Sequence, residues 1–207
     1  MTGSSQAPLR YVALGDSYTI GTATRSPAER WPDQLVARLG STPRVVELVA
    51  NLGVNGFTSR DVLEVQLPEL PALGLGFVTV LVGVNDVVQG VPEATYRENA
   101  SNILAELLHR LPPARILVVT TPDYTVTPRG GDYGDPAQQS AEIRRFNAAI
   151  AQLAVRHGIS VVDIHDISLE ATADRSLVAD DGLHPSGAQY ARWVDRIAPV
   201  VVELIKG

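Results

Sequence analysis

Tyr11-Val12-Ala13-Leu14-Gly15-Asp16-Ser17-Tyr18 is an apolar run that stops at a glycine and passes into small polar residues. The run at 11–14 reads as a short strand buried on both faces, as strands of a parallel sheet are. Four further apolar, β-branched runs follow at 45–49, 77–82, 116–120 and 159–163.

Segments of helical period lie between these runs. Trp31, Leu35, Val36 and Leu39 share one helical face, and Gly40 follows as a stop. Val62, Leu63 and Leu67 share another, entered through Thr58 or Ser59 as caps. Ile103, Leu104, Leu107, Leu108 and Leu111 precede Pro112-Pro113. Ile143, Phe146, Ile150, Leu153 and Ala154 precede His157-Gly158. A last helix is expected from Pro185 to about Ile205, with the proline as its first residue. Strands alternating with helices predict right-handed crossovers and a three-layer α/β domain. With 207 residues and no linker or repeat, one domain is expected over 1–207, with a flexible tail at 1–8.

Composition narrows the function. Hydrophobic residues make up 45% and charged residues 19%, which is globular. The net charge of −6 comes without a Lys/Arg cluster, so nucleic acid is not an expected partner. Cysteine is absent, which excludes disulfides and thiolate metal sites. Residues 1–9 carry neither a basic start nor an apolar run, so a cytoplasmic protein is expected. A chain whose leader had been removed would read the same way. No apolar stretch reaches the ~20 residues of a membrane helix.

In a parallel sheet, ligands bind beyond the carboxyl ends of the strands, so the loops that follow them carry the chemistry. Gly15-Asp16-Ser17-Tyr18 follows the first strand, where Ser17 either points a hydroxyl into the cleft or caps a helix. Asn51-Leu52-Gly53-Val54-Asn55-Gly56 follows the second, and its glycines let a backbone N–H approach a ligand or simply make a turn. Gly83-Val84-Asn85-Asp86 follows the third, where Asn85 donates to an oxyanion or forms an Asx turn. Asp181-Gly182-Leu183-His184-Pro185 precedes the last helix. A carboxylate three residues before a histidine can hold its Nδ1–H, leaving Nε2 to take a serine proton.

These four blocks, in this order, resemble the SGNH hydrolases, also called the GDSL esterase/lipase family. The first block reads GDSY here rather than GDSL. The resemblance implies a flavodoxin-like five-stranded parallel sheet of order 2-1-3-4-5. It implies that Ser17 is the nucleophile and His184 the base, oriented by Asp181. The Ser17 and Gly53 amides and the Asn85 side chain form the implied oxyanion hole. The implied activity is hydrolysis of a small-molecule carboxylic ester through an acyl-enzyme. Thioester cleavage and acyl transfer use the same groups.

Other residues fit less well. His109 and His157 end helices, a common structural place for histidine. His165 follows the fifth run between Asp163 and Asp166 and competes with His184 as base, but lacks its Asp-x-x-His-Pro context. No histidine pair has the helical spacing of metal ligands, so neither metal nor cofactor is expected. The long connection at 122–136, with Tyr124, Tyr133, Gly130 and Gly131, either walls the substrate site or is a surface excursion. Its polar character favours short to medium acyl chains over packed lipid. Two other readings compete. Thr19, Thr22 and Thr24 suit a phosphate- or flavin-binding module, which leaves Asp181 and His184 unexplained. A catalytically silent glycan binder would not need Ser17, Asn85, Asp181 and His184 intact.

Overall fold

The computed structural model describes residues 7–206. In chain order its elements are β1 (Leu9–Gly15), α1 (Ser17–Ile20), α2 (Trp31–Leu39), β2 (Val46–Asn51), α3 (Ser59–Asp61), β3 (Phe77–Leu81), α4 (Val84–Val88), α5 (Glu93–Leu108), β4 (Ile116–Val119), α6 (Pro136–Arg156), β5 (Ser160–Val162), α7 (His165–Leu169) and α8 (Gly187–Ile205). Each strand lies within two residues of its expected ends. Of the tail expected at 1–8, residues 1–6 lie outside the described residues.

All five strands pair in parallel, in the order β2-β1-β3-β4-β5. The interior strands β1, β3 and β4 are apolar on both faces, and most of their side chains have no exposed surface. That is why these runs are continuous rather than alternating. Helices α2 and α8 pack together in one layer, α5 and α6 in another. Trp31 and Trp193 are fully buried, as are Ile103, Leu104 and Leu107. The expected three-layer α/β architecture is the one observed.

Two helix expectations need correction. The segment at 62–67 is not a regular helix. After α3 it widens into a π turn over Val62–Gln66 and tightens into a 3₁₀ stretch over Leu67–Leu73. Pro68 and Pro71 lack the amide donors that an α-helix needs there. Val62 and Leu67 are buried nonetheless. The last helix begins at Gly187, not Pro185, because the Ser186 hydroxyl caps it and accepts from Gln189 N. Pro185 instead bridges Val178 in an antiparallel pair. Ala179 N donates to His184 O and Ser186 N to Leu177 O, both at 2.8 Å. This short ladder closes the turn at 179–184.

Candidate active site

Ser17 is the first residue of α1, directly after the Asp16 that caps it. Asp16 Oδ1 accepts from Tyr18 N at 2.9 Å, so the capping role open to Ser17 falls to its neighbour. Ser17 N has no acceptor within its helix, and the side chain lines a cavity of about 260 Å³. Gly15 makes this turn possible. It has φ 151, and a Cβ there would lie 2.2 Å from Leu81 O. Asp16 is wholly buried, its Oδ2 has no partner, and burial pushes its carboxyl up to about 8.

The next two loops meet α1. Asn85, second in α4, donates from Nδ2 to Phe57 O at 2.9 Å. Its amide carries a second hydrogen, and Asn85 lines the same cavity as Ser17. The adjacent Asp86 is fully buried and accepts from Ser59 N at 2.8 Å and Ser59 Oγ at 2.5 Å. Gly53 packs against α1, where a Cβ would come 2.4 Å from Ile20 N and 2.7 Å from Asp16 O. Its N–H points to Asn51 Oδ1 at 3.1 Å, and Gly53 lines a neighbouring cleft rather than the Ser17 cavity.

In the fourth loop, His184 Nδ1 lies 2.6 Å from Asp181 Oδ2. Asp181 Oδ1 accepts from the amides of Leu183 and His184, each at 2.9 Å. Burial raises the Asp181 carboxyl. The His184 ring and the two amides outweigh this and hold it below the usual carboxylate range. Gly182 takes the left-handed conformation the turn requires, φ 74. With Asp181 on Nδ1, Nε2 is the ring atom left for proton transfer. Tyr18 stands against the imidazole, ring centres 5.7 Å apart. Ser17 and His184 line one cavity without a hydrogen bond between them, and such bonds commonly tighten only around substrate.

The loop at 122–136 is ordered by two 3₁₀ turns, Tyr124–Val126 and Gly130–Tyr133. Tyr124 and Tyr133 both line the cavity, so the loop forms one of its walls. Arg129 N donates to Gly182 O at 3.0 Å, tying the loop to the Asp181–His184 turn. Val84, Val88 and Leu183 supply the remaining apolar lining. Val84 and Val88 were not singled out in the sequence; their i, i+4 spacing is the signal that would have found them once 84–88 is read as a helix.

His165 is elsewhere. Its Nε2 lies 3.5 Å from Asp123 Oδ2, and it does not line the Ser17 cavity. Burial raises the Asp123 carboxyl, but the nearby His165 ring and hydrogen bonds from Ser140 and Thr125 pull it down to about 2. His109 and His157 stand exposed at helix C-termini. Thr22 Oγ1 bonds Asn55 Oδ1 and Thr24 Oγ1 bonds Gly21 O. These hydroxyls are engaged within the protein, which weighs against a phosphate cradle. Among the described residues no three His, Asp or Glu side chains converge as a metal site. No helix there is long and apolar enough to cross a membrane.

Solved structures of similar fold include the esterase EstA from Pseudoalteromonas sp., with TM-score 0.71 at 15% identity, covering 96% of this chain and 100% of that one. A lipase/acylhydrolase from Enterococcus faecalis has TM-score 0.71 at 20% identity, covering 94% and 95%. An acetylxylan esterase from Geobacillus stearothermophilus has TM-score 0.70 at 19% identity, covering 95% and 94%. At these identities the likeness is one of fold. None of the curated proteins matches the chain in sequence. The profile of GDSL-like lipases and acylhydrolases matches residues 13–192, from β1 through the Asp181–His184 turn into α8. The chain therefore belongs to the GDSL-like lipase/acylhydrolase family.

Proposed function

We propose that the protein is a serine esterase acting on small carboxylic esters of short to medium acyl chain, within a single domain. The observation that carries this reading is the Asp181–His184 pair at 2.6 Å beside a cavity that Ser17 and Asn85 also line. Ser17 Oγ attacks the ester carbonyl carbon and its proton passes to His184 Nε2. The oxyanion is held by the Ser17 amide, the free hydrogen of Asn85 Nδ2 and the Gly53 amide, which turns from Asn51 to meet it. The imidazolium, steadied by the anionic Asp181, protonates the leaving alkoxide. Water, deprotonated by His184, then cleaves the acyl-enzyme and releases the acid. The modest cavity and its tyrosine wall support chains shorter than those of membrane lipids.

Mass spectrometry after treatment with an organophosphorus reagent, alongside rates on nitrophenyl acetate, butyrate, octanoate and palmitate, tests this. The label is expected on Ser17, with activity lost in Ser17→Ala and rates declining beyond octanoate. A label on another serine overturns the nucleophile. A maximum at palmitate overturns the chain length.

A further inference from the structure

Beside the Ser17 cavity runs a second, larger cleft of about 570 Å³, between the loop joining α1 to α2 and the loop leaving β2. Asn55 lines both spaces, and its Oδ1 accepts from Thr22 Oγ1 on the cleft side. Arg25 and Arg30 line the cleft, in a chain whose net charge is −6. No ion pair within 4.0 Å engages either guanidinium among the described residues. Arg30 Nε is buried without a hydrogen-bond partner. Two carboxylates are near. Asp33 feels the charge of Arg30, and Glu29 Oε2 accepts from the Arg25 backbone N at 2.8 Å.

Arg30 is held in place rather than free. Its stem crosses Gly21, where a Cβ would come 2.5 Å from Arg30 Cγ. Gly21 is the C-cap of α1, its N–H bonded to Ser17 O at 3.0 Å. The arginine stem therefore rests four residues from the nucleophile, about 6 Å along the helix at 1.5 Å per residue. Ala23, on the cleft wall, is the only described non-glycine residue at positive φ, 65. Such strain costs stability and gathers where a loop is shaped for a ligand.

We propose that this cleft is an acyl subsite for esters whose acyl chain ends in an anionic group, held by Arg30 and Arg25. The inference rests on the esterase reading. His184 must protonate the leaving oxygen, and it lines the Ser17 cavity but not the cleft. The alcohol therefore stays on the His184 side, and the part that passes Asn55 is the acyl chain. The anion sits several bonds from the carbonyl, because the arginines lie a helical turn away from Ser17.

The test compares 4-nitrophenyl hemiesters of adipate and suberate with their methyl-capped neutral counterparts, and titrates free adipate into Ser17→Ala by calorimetry. At low salt kcat/KM is expected to favour the anionic ester about tenfold, with the preference shrinking as salt rises. Arg30→Met, which keeps the stem, and Arg25→Gln, at the exposed rim, should each bring the ratio towards one and weaken adipate binding. If no ester of either kind is hydrolysed, the esterase reading fails while calorimetry still tests the subsite. Equal rates for charged and neutral esters, with no adipate binding, overturn the subsite. So does a preference untouched by either substitution, which would leave Arg30 as a counter-charge to Asp33. If the arginine variants instead impair hydrolysis of the acetate ester of 4-hydroxybenzoate, the cleft receives the alcohol and the acyl assignment is overturned.

Discussion

Replacing Gln66 with leucine probes how β1 presents the residues that follow it. Gln66 is 2% exposed. Its Oε1 accepts from Gly15 N at 2.9 Å, and its Nε2 donates to Gly15 O at 2.6 Å and Leu52 O at 2.7 Å. Leucine is of similar bulk, so the loss is polar and not a cavity. Gly15 O keeps a weak partner in Val54 N at 3.4 Å, which leaves Gly15 N and Leu52 O stranded. A buried unsatisfied group costs about 1–3 kcal/mol. Water relieves some of this at the half-buried Leu52, so a total of about 3 kcal/mol is expected from that range. For a chain of this size, 1 kcal/mol moves Tm by roughly 2–4 °C, giving a fall of about 10 °C. Because Gly15 precedes Asp16 and Ser17, kcat should fall more than KM changes, at temperatures well below melting. Thermal unfolding followed by circular dichroism and steady-state rates on nitrophenyl butyrate read both. A melting temperature within about 3 °C of wild type, with kcat unchanged, would refute the idea that Gln66 sets the turn that carries Ser17.

Asn85→Ala should lower kcat by roughly 10²–10³ with KM little changed, the usual loss of one oxyanion donor; a raised KM with intact kcat would make Asn85 a substrate-binding group. Burial pushes Asp16 up to about 8, against about 3.9 in the unfolded chain. The folded protein thus holds a proton that the unfolded chain releases, so this contribution is complete below about pH 4 and is lost as pH rises through about 8. Its size is at most about 6 kcal/mol, from about 1.4 kcal/mol per pH unit of separation. Asp16→Asn, which mimics the protonated acid, should flatten the fall of Tm between about pH 5 and 8; an unchanged slope would mean that Asp16 is ionised in the folded state.

The parts of the fold written in short-range pattern were legible. Continuous apolar runs gave the strands, because a strand covered by helices on both faces leaves no polar side to alternate with. Long-period helices such as α5 and α6 were equally plain. What the pattern left undecided was local hydrogen-bond competition. Asp16 and Ser17 are both good caps, as are Pro185 and Ser186 good helix starts, and only the folded backbone decides between neighbours. The 62–73 segment has helical spacing yet carries two prolines, whose effect on a buried turn is hard to weigh in advance. Gln66 was invisible for another reason. A lone glutamine has no periodic signature, and its partners lie 14 and 51 residues away. The Arg25–Arg30 cleft likewise joins two loops that only the sheet order brings side by side.

That order also explains which histidine sits beside Ser17. β1 and β3 are neighbours whose onward connections run in opposite directions, β1 to β2 on one side and β3 to β4 on the other. This is the switch point at which a crevice opens beyond the strand ends. The loops after β1, β2 and β3 therefore converge there, carrying Ser17, Gly53 and Asn85. His165 follows β5, three strands from β1. At about 4.8 Å per strand that is roughly 14 Å, with the Asp123 loop after β4 between. No rotamer of His165 crosses that distance. His184 avoids the problem because it enters from no strand at all. It sits on a turn held by the Val178–Pro185 bridge and opening directly into α8. Helix α8 packs on α2, which lies against β2, and also touches β5, so its layer runs across the sheet. A histidine on the turn before such a helix is not tied to a strand end, whereas one after the edge strand is limited by strand spacing. On the proposed reading, the base of this chain comes from the turn that enters its last helix and not from the end of a strand.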